Sequence, residues 1–533
     1  MSILGLDSLI MFRQQVRSWF ITESVHMAPM PIARTAVAAF HDAYQIQGVR
    51  AVDDQTWSDL HGDDLIDYLC NDASSYARQV CHHYLRQPAS KSVVDLRTAH
   101  LQALADDAVA ADQVRRIFIP LRHGSTRSFV DLLNEAMTET PVHRNWLRSA
   151  RIWPFILIAG VLVAHQTAIG LVLMGIFAAG TLYAQTKFHA AMFLFERLTD
   201  EILTMLGVAT QLVSQQSLND FPWIGKVQEQ RAKIRSMARL FRPALPVGRF
   251  STIEEYANWL RLKNVRTYLK LSPVVREHRE WLLHLFENLG ELELLAALAE
   301  KRRQDYSRFA QVEWAADQQI TFNGLTHPLV DQFNPLTIET ADRSILITGE
   351  NGAGKSTAIR AAAVSLLLAR AFGFSFARSA RLPFRTLITS LQVNDHLLEG
   401  ESLFYAEVRR AREMWQAAQS DTPPIFFFDE AFRGTSRKES ISIGVALLEA
   451  ISKRSTVFAT THHRELIDLL GDQFDFLLCS KTDEGDTVSF GIGKGVINKP
   501  NALTVFEQAG FDASMVARAK SVLQGLDRNA DLL

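Results

Sequence analysis

The chain has 533 residues, a formal net charge of -2 and three cysteines. At about 150 residues each, the length allows about three domains, and the near-neutral charge by itself indicates no polyanionic partner. Three cysteines exclude a disulfide framework and are typical of a reducing compartment. The sequence begins with an apolar run followed by basic residues, the reverse of a secretory signal, so we expect most of the chain to be cytoplasmic.

The first predicted region, residues 1–150, is helical, because its apolar residues recur at helical spacing and strand-like runs are few. Residues 152–184 then contain no Asp, Glu, Lys or Arg. A polar turn at 165–167 divides this stretch into two apolar arms. Since a membrane span needs about 20 apolar residues, the pattern favours a transmembrane helical hairpin over residues 151–185.

Basic residues flank the apolar stretch on both sides, with Arg148 and Arg151 before it and Lys187 after it. A hairpin would bring both flanks to one face of a bilayer, as the positive-inside rule requires. We therefore expect the chain to lie at the cytoplasmic face of a membrane, the inner membrane if the protein is bacterial. The alternative is a buried helical pair in a soluble cytoplasmic protein, although a soluble helix that is apolar all round is uncommon.

Helical periodicity returns over residues 186–310, and the pattern of apolar residues changes from about residue 311. Short apolar runs such as SILIT (344–348) and IFFF (425–428) then alternate with helical segments. This alternation predicts an α/β domain with a mainly parallel sheet over residues 311–533. The predicted fold is therefore a C-terminal α/β domain preceded by an all-α region that contains the hydrophobic helical hairpin.

A phosphate-binding loop is predicted between a strand and a helix, where residues 349–356 match G-x-x-x-x-G-K-[ST]. Its glycines let backbone N–H groups surround phosphates, and the helix N-terminus adds a positive end. Lys355 is expected to reach the β- and γ-phosphates of ATP, and Ser356 to bind Mg²⁺. The predicted ATP-binding residues are Gly349, Glu350, Asn351, Gly352, Ala353, Gly354, Lys355, Ser356 and Thr357.

Candidate catalytic residues follow two further predicted strands. The run IFFF ends in Asp429 and Glu430. We expect Asp429 to hold Mg²⁺ through water and Glu430 to polarise the attacking water. After the strand VFAT (457–460), His462 is expected to contact the γ-phosphate and help position the water. A structural role is the alternative for such a histidine, and His463 is the weaker candidate.

Ser402 lies at the start of a predicted helix, where a serine can cap the helix or bind an anion. Together TGENGAGKST, GESLF, FFFDEAFRGTS and TTHHREL resemble the ATPase domain of the MutS family, the mismatch-repair branch of the ABC-type ATPases. The resemblance extends from about residue 285 to 520. It implies Mg²⁺-dependent ATP hydrolysis in a homodimer with two composite sites, in which Ser402 reaches the nucleotide of the partner. It also implies a helical lever over 186–310 and dimerising helices at the C-terminus.

The sequence departs from the family pattern at Glu350, Ala353 and Phe432, which replace Pro, Gly and Gly, and none of these changes removes a catalytic group. The resemblance implies that a mismatch-recognition domain and a connector domain together would not fit in this length, so we expect a truncated form without direct mismatch recognition.

A nucleic-acid surface is a further candidate, because residues 226–280 hold 13 Lys or Arg against five Glu. Such a surface can bind phosphates without reading sequence, or can meet anionic lipid headgroups. The alternative is a solvated helical face. The candidate contacts are Arg231, Lys233, Arg235 and Arg239. For the Cys-His-His run at 81–83 we expect no metal site, since further ligands at suitable spacing are missing, and Mg²⁺ is the one metal expected.

The combined expectation is a MutS-like ATPase that couples ATP binding and hydrolysis at a dimer interface to lever motion. DNA binding without sequence specificity and a role in DNA repair or processing go with it. The alternative is a membrane-anchored ATPase that acts on a protein or membrane partner without mismatch recognition. A third interpretation, a nucleotide-gated scaffold with little turnover, is disfavoured by the presence of Glu430 and His462.

Overall fold

A computed structural model provides the structure of the chain. It describes residues 34–44, 52–122, 128–138, 153–164, 168–218, 221, 224–241, 263–330, 333–340, 343–350, 352–392, 403–484, 487–495, 506–507 and 509–530. The described residues fall into two compact units, each built from several chain segments.

The helices and strands are numbered in chain order. The helices are α1 (Arg34–Ala43), α2 (Asp54–Asp59), α3 (Gly62–Leu69), α4 (Ser75–Arg86), α5 (Lys91–Asp106), α6 (Ala108–Ile117), α7 (Ile119–Arg122), α8 (Phe129–Thr138), α9 (Trp153–Ala164), α10 (Ala168–Ser214), α11 (Gly225–Gln228), α12 (Arg231–Phe241), α13 (Lys263–Glu277), α14 (Arg279–Gln304), α15 (Lys355–Phe372), α16 (Leu403–Ala418), α17 (Arg437–Ser452), α18 (Arg464–Leu470) and α19 (Ala513–Ala530). The strands are β1 (Ala310–Ala315), β2 (Ile320–Leu325), β3 (Leu336–Thr340), β4 (Ser344–Gly349), β5 (Phe374–Ser375), β6 (Ser379–Pro383), β7 (Leu387–Ser390), β8 (Ile425–Asp429), β9 (Val457–Thr460), β10 (Phe474–Glu484) and β11 (Thr487–Lys494).

The first unit comprises Met1–Phe40, Asp72–Gln79 and Gln113–Glu293, and its described part is helical. The long helix α10 packs against α8, α12 and α13. Aromatic rings form part of the core. The ring centroid of Phe286 lies 4.4 Å from that of Tyr76 and 5.5 Å from that of Phe129. Stacked and tilted aromatic pairs of this kind add to the free energy gained from burial.

The predicted hairpin over 151–185 forms two packed helices, α9 and α10, but a transmembrane span is not supported. Helix α9 has 12 residues, which at 1.5 Å per residue is about 18 Å, against a hydrocarbon core of about 30 Å. Among the residues that the structure describes, no helix is both long and apolar enough to cross a membrane. The polar turn and the arginines before α9 lie outside the described residues. Apolar side chains of the hairpin are nevertheless exposed, among them Phe155, Ile158, Val161, Leu162, Leu171, Val172 and Ile176.

The second unit comprises His41–Asn71, Val80–Asp112 and Leu294–Leu533 and contains two sheets. The six-stranded sheet has the order β11-β10-β4-β9-β8-β7, and its neighbouring strands are parallel except for the antiparallel pair β10 and β11. This sheet confirms the predicted mainly parallel α/β fold. The sequence did not predict the five-stranded sheet β3-β2-β6-β1-β5, in which β1 and β6 are parallel and the other pairs antiparallel.

The central strands and the helix after β4 follow directly from their sequences. Every residue of β4 and β8 is buried, as expected for apolar parallel strands that are covered on both faces. Helix α15 is rich in Ala and Leu, which favour helix, and it ends at Gly373 with a positive φ of 71°. A Cβ at Gly373 would lie 1.9 Å from the Thr98 hydroxyl oxygen, so glycine permits the close approach of α5.

Helix α5 also satisfies the carbonyl groups at the end of α15. Arg97 Nη1 donates to the carbonyl of Ala371 at 3.2 Å, and the Thr98 hydroxyl donates to that of Phe372 at 3.1 Å. The last carbonyls of a helix have no partner within the helix and need such donors. The unit that holds the phosphate loop therefore also contains helices from the N-terminal region of the sequence.

Candidate nucleotide-binding and hydrolysis site

The carboxyl ends of three neighbouring parallel strands meet at one edge of the six-stranded sheet. Strand β9 lies between β4 and β8. The phosphate loop follows β4, the pair Asp429 and Glu430 ends β8, and His462 follows β9. Ligands of open α/β sheets bind outside the carboxyl ends of the strands, so the topology places all three motifs where a nucleotide would bind.

The phosphate loop takes its shape from glycine conformations. Gly349, Gly352 and Gly354 have φ of 152°, 78° and 88°. A Cβ at Gly349 would lie 2.4 Å from the carbonyl oxygen of Cys479 on the neighbouring strand, so only glycine fits there. A Cβ at Gly352 would have no neighbour within 4 Å, which leaves open space along the loop. This open loop at the start of α15 suits a chain of phosphates.

Lys355 is the first residue of α15 and is 6% exposed. Its Nζ donates to the carbonyl oxygens of Gly349 and Glu350, both at 3.0 Å. The ammonium group is thereby fixed over the loop, while Ser356 and Thr357 are half-buried on the first helical turn. A fixed cation beside the unpaired N–H groups of a helix start fits a triphosphate well.

Asp429 is buried at the end of β8, and strand β9 orients it. The Thr460 hydroxyl donates to Asp429 Oδ1, and Arg433 Nη2 donates to the backbone carbonyl of Asp429 at 2.9 Å. Carboxylate and hydroxyl oxygens are the ligands that Mg²⁺ prefers. Asp429 and Ser356 therefore fit the predicted magnesium site in their chemistry.

Glu430 lies between the imidazole of His462 and the guanidinium of Arg433. His462 Nδ1 is 3.3 Å from Glu430 Oε1, and Arg433 Nε is 3.5 Å from Glu430 Oε2. The hydrogen bond with His462, above all, lowers the pKa of Glu430. Burial opposes that shift, and the charges of His462, Arg433 and Lys355 add to the lowering. The carboxyl group is therefore ionised at neutral pH, as a group that orients water or accepts its proton must be.

The backbone at Glu430 is strained. Its φ of 52° lies in the left-handed region, which costs a non-glycine residue about 1–2 kcal/mol. Strain of this kind concentrates at functional sites. The structure brings Lys355, Asp429, Glu430 and His462 to one edge of the sheet, and their roles in hydrolysis stay predictions.

Two further predicted site residues lie outside the described residues, and a third lies beside His462. Asn351 and Ser402 lie outside the described residues, so their roles stay predictions. His463 occupies the N-cap position of α18 without a side-chain capping bond and is half-buried, with its ring centroid 4.0 Å from that of His462. Burial lowers the pKa of His463, which favours its neutral form.

The sequence did not identify Thr460, Arg433 and Glu407 as site residues. Glu407 is buried on α16 and accepts hydrogen bonds from the backbone N–H groups of Arg433 at 2.9 Å and Gly434 at 3.1 Å. The available signal was an acidic residue at helical spacing from Ala411 and Met414, on the apolar face of a predicted helix. Glu407 ties the helix that follows Ser402 to the loop that follows Glu430.

That loop contains two further special positions. Phe432, which stands where the resembling family has glycine, is 4% exposed and has a φ of 63°. The strained backbone is thus accompanied by burial of an aromatic ring. At Gly434 a Cβ would lie 2.8 Å from the backbone N of Phe404 and 3.0 Å from its Cα. Glycine at 434 therefore allows the loop to pack directly on the first turn of α16.

We expect Gly434→Ala to lower both the stability and any ATP turnover, because its methyl group would push the loop away from α16. Overpacking of this kind costs about 1–3 kcal/mol. The matched control is Gly444→Ala on α17, where the new methyl would meet only Leu466 Cδ2 at 3.9 Å. That change should raise the free energy of unfolding by about 0.5–1 kcal/mol, because alanine favours helix. Thermal unfolding and phosphate release measure both effects, and an unchanged turnover in Gly434→Ala would contradict the expectation.

The predicted basic surface lies on α12 in the first unit. Ile234, Met237 and Phe241 are buried on one face of this helix. The exposed basic side chains are Arg231, Lys233, Arg235 and Arg239. Lys233 Nζ lies 4.9 Å from the centroid of the Trp281 ring, a cation–π distance. The helix is amphipathic, and its basic residues lie on the solvent side.

The fold and the site define a nucleotide-binding α/β domain with a phosphate-binding loop. Residues 345–527 match the family MutS domain V. Over this domain the chain is similar to the MutS family.

Three relatives give the extent of the similarity, and each is described as a DNA mismatch repair protein MutS. The protein of Thermus thermophilus is 30% identical over 316 residues, which cover 57% of this chain and 38% of that protein. The Leptospira interrogans protein is 31% identical over 265 residues, covering 46% of this chain and 30% of the relative. The Streptococcus uberis protein is 29% identical over 293 residues, covering 52% and 33%. The chain thus spans less than two fifths of the length of these relatives.

Proposed function

We propose that the chain is a Mg²⁺-dependent ATPase. The observation that carries this proposal is the ionised Glu430, held by His462 and Arg433 at the strand edge that also bears the phosphate loop. A simple nucleotide-binding scaffold has no need for a strained, oriented carboxylate beside the loop.

Different residues bind the phosphates, hold Mg²⁺ and activate the water. The backbone N–H groups of the loop and the Nζ of Lys355 bind the phosphates and compensate their charge. Ser356 and Asp429 would hold Mg²⁺, which when bound supplies additional positive charge at the phosphates. Glu430 orients the attacking water and accepts its proton, and His462 and Arg433 fix the direction of the carboxylate.

We propose further that two copies of the chain act together, with Ser402 of one copy binding the nucleotide of the other. The C-terminal helix α19 supports a dimer, because it exposes the apolar side chains Met515, Val522 and Leu523. Exposed apolar residues grouped on one helix mark a surface that can pack against another chain.

The proposed partner is DNA, bound through phosphates and without sequence specificity. The exposed basic side chains of α12 support this proposal, since fixed cations on one helix face can displace the counterions of a duplex. The MutS name of the relatives agrees with a role in DNA repair or processing. ATP binding and hydrolysis would then drive movements of the helical region.

The test is ATP hydrolysis by the full chain with no DNA and with duplex, mismatched or branched DNA. We expect at least one DNA to stimulate turnover and to bind in a salt-dependent manner. Replacement of Arg231, Lys233 and Arg235 by alanine should weaken binding and reduce the salt slope by about one per residue.

The matched control replaces three exposed lysines, Lys91, Lys438 and Lys453, by alanine. This variant removes the same charge and should bind DNA like the unmodified protein. Turnover that is indifferent to every DNA would contradict the DNA-binding part of the proposal and leave the ATPase part standing.

A further inference from the structure

Helix α2 contacts the hydrolysis site although it precedes the phosphate loop by about 290 residues of sequence. Asp59, the last residue of α2, is 1% exposed. Its Oδ2 accepts hydrogen bonds from the Thr389 hydroxyl at 2.6 Å and from the Leu391 N–H at 2.8 Å. Its Oδ1 accepts one from the Gln392 N–H at 3.0 Å. One buried carboxylate therefore holds the end of β7 and the two residues after it.

The backbone of Gln392 is held on both sides by α2. Besides the contact with Asp59, its carbonyl oxygen accepts a hydrogen bond from Gln55 Nε2 at 2.6 Å. The same Nε2 lies 2.9 Å from Asp59 Oδ1, so Gln55 and Asp59 also fix one another. Gln392 lines the cleft whose wall includes Glu430 and Arg433. Helix α2 thus sets the position of a residue in the cleft of the proposed catalytic carboxylate.

Two arginines join α2 to the helices on either side of this strand end. Arg410 of α16 has an 8% exposed side chain, and its Nη2 donates to Thr56 Oγ1 at 3.0 Å and to the Thr389 carbonyl at 2.6 Å. Arg360 of α15 donates from Nε to the carbonyl of Asp59 at 2.8 Å. The helix of the phosphate loop, the end of β7 and the helix that follows Ser402 are therefore connected through one short N-terminal helix.

Burying a carboxylate costs free energy, because the charged group loses its contacts with water. Burial raises the pKa of Asp59, and the hydrogen bonds from Thr389, Leu391 and Gln392 oppose that rise. An apolar side chain of similar size would pack at lower cost, since a buried charge is stabilised only through its hydrogen bonds. The carboxylate specifies the path of residues 389–392, which an apolar side chain could not do.

We propose that Asp59 is a positioning residue for ATP hydrolysis, which acts by holding Gln392 against the cleft of Glu430. This role rests on the proposed ATPase function. It assigns to the N-terminal region, outside the matched residues 345–527, a part in the chemistry of the site.

The variant that tests this role is Asp59→Asn in the full chain. Asparagine keeps the size of the side chain but presents an NH₂ group to N–H donors that need an acceptor. We expect kcat for ATP to fall about 10- to 100-fold, since small displacements of site residues have effects of this size. The KM for ATP and the rise in Tm caused by ATP should stay within about twofold and a few degrees of the unmodified protein. Asp64→Asn is the matched control, because this carboxylate is exposed on the adjoining helix α3.

A double variant distinguishes a positioning role of Asp59 in hydrolysis from a mere contribution of Asp59 to stability. In a Gln392→Ala protein, Asp59→Asn should lower Tm as it does in the unmodified protein but should cause little further loss of kcat. A fall of Tm without any change of kcat, or equal losses of kcat in both backgrounds, would overturn the positioning role. The Glu430→Gln variant serves as the blank for turnover. Turnover of the unmodified protein no higher than this blank would overturn the ATPase proposal and with it the role of Asp59, whereas normal turnover of Asp59→Asn would overturn that role alone.

Discussion

Replacing Glu430 by Gln is expected to lower the turnover number for ATP at least about 100-fold, the usual contribution of a general base. Glutamine has nearly the same shape, so its side chain can still lie between His462 and Arg433. It carries no negative charge, however, and cannot accept the proton of water. Binding of ATP should persist, because the phosphate loop and Lys355 are unchanged.

The two expected effects are measured separately. Steady-state phosphate release reports the turnover, and the rise of Tm with ATP and Mg²⁺ reports binding, since a ligand that binds only the folded state stabilises it. Asp421→Asn is the control, because it removes an exposed carboxylate in the loop before β8. A Glu430→Gln protein with turnover near that of the control would show that another group activates the water.

An ATP-bound Glu430→Gln protein also tests the proposed dimer. If ATP joins two copies and hydrolysis separates them, this variant should accumulate as a dimer in the presence of ATP and Mg²⁺. Light scattering after size-exclusion chromatography gives the mass directly. A monomeric mass with bound ATP would contradict the proposal that Ser402 acts across a dimer interface.

The parts of the site that the sequence predicted are those whose pattern is local. The loop at 349–356 has its glycines and lysine at fixed spacing, and the runs before Asp429 and Thr461 are apolar enough to indicate buried parallel strands. The carboxyl ends of adjacent parallel strands meet at one edge of a sheet, so the three motifs lie together once their strands are neighbours. The structure adds the strand order that makes β4, β9 and β8 neighbours.

The contacts that the sequence could not predict join residues far apart in the chain. Asp59 and Gln392 are separated by 333 positions, and no periodicity connects them. The five-stranded sheet was missed because its strands are short, and β1 has mixed burial without a regular alternation. Composition also misled the interpretation of 152–184. The uncharged stretch favoured a membrane hairpin, although the polar turn at 165–167 already indicated a short first arm, which is α9 with 12 residues.

Phe432 replaces a glycine of the family pattern, and the sequence alone did not show how this change affects the loop. The loop needs a positive φ at this position, which glycine adopts at no steric cost. Phenylalanine keeps the same conformation with a φ of 63° and buries its ring in return. Phe432 therefore has a backbone conformation that glycine would adopt without strain.

Replacing Lys355 by Met is expected to weaken both the binding and the hydrolysis of ATP, in contrast to Glu430→Gln, which should affect hydrolysis alone. Methionine keeps much of the side-chain length but loses the ammonium group that donates to the carbonyls of Gly349 and Glu350. Hydrogen bonds from a charged group contribute about 1.5–3 kcal/mol each, so the loss of affinity should be at least about tenfold and turnover should fall with it.

The ATP-dependent rise of Tm distinguishes this variant from one that merely folds poorly. Without nucleotide, Lys355→Met should show one cooperative unfolding transition at a Tm below that of the unmodified protein, because two hydrogen bonds to loop carbonyls are lost. It should show little or no further rise of Tm with ATP and Mg²⁺. Lys438→Met removes an exposed lysine of α17 and should respond to ATP normally. A full ATP response in Lys355→Met would mean that the loop binds phosphates through its backbone N–H groups alone. The buried Nζ would then serve only to hold the loop through its hydrogen bonds to the carbonyls of Gly349 and Glu350. The positive charge at the phosphates would have to come from Arg433 or Mg²⁺.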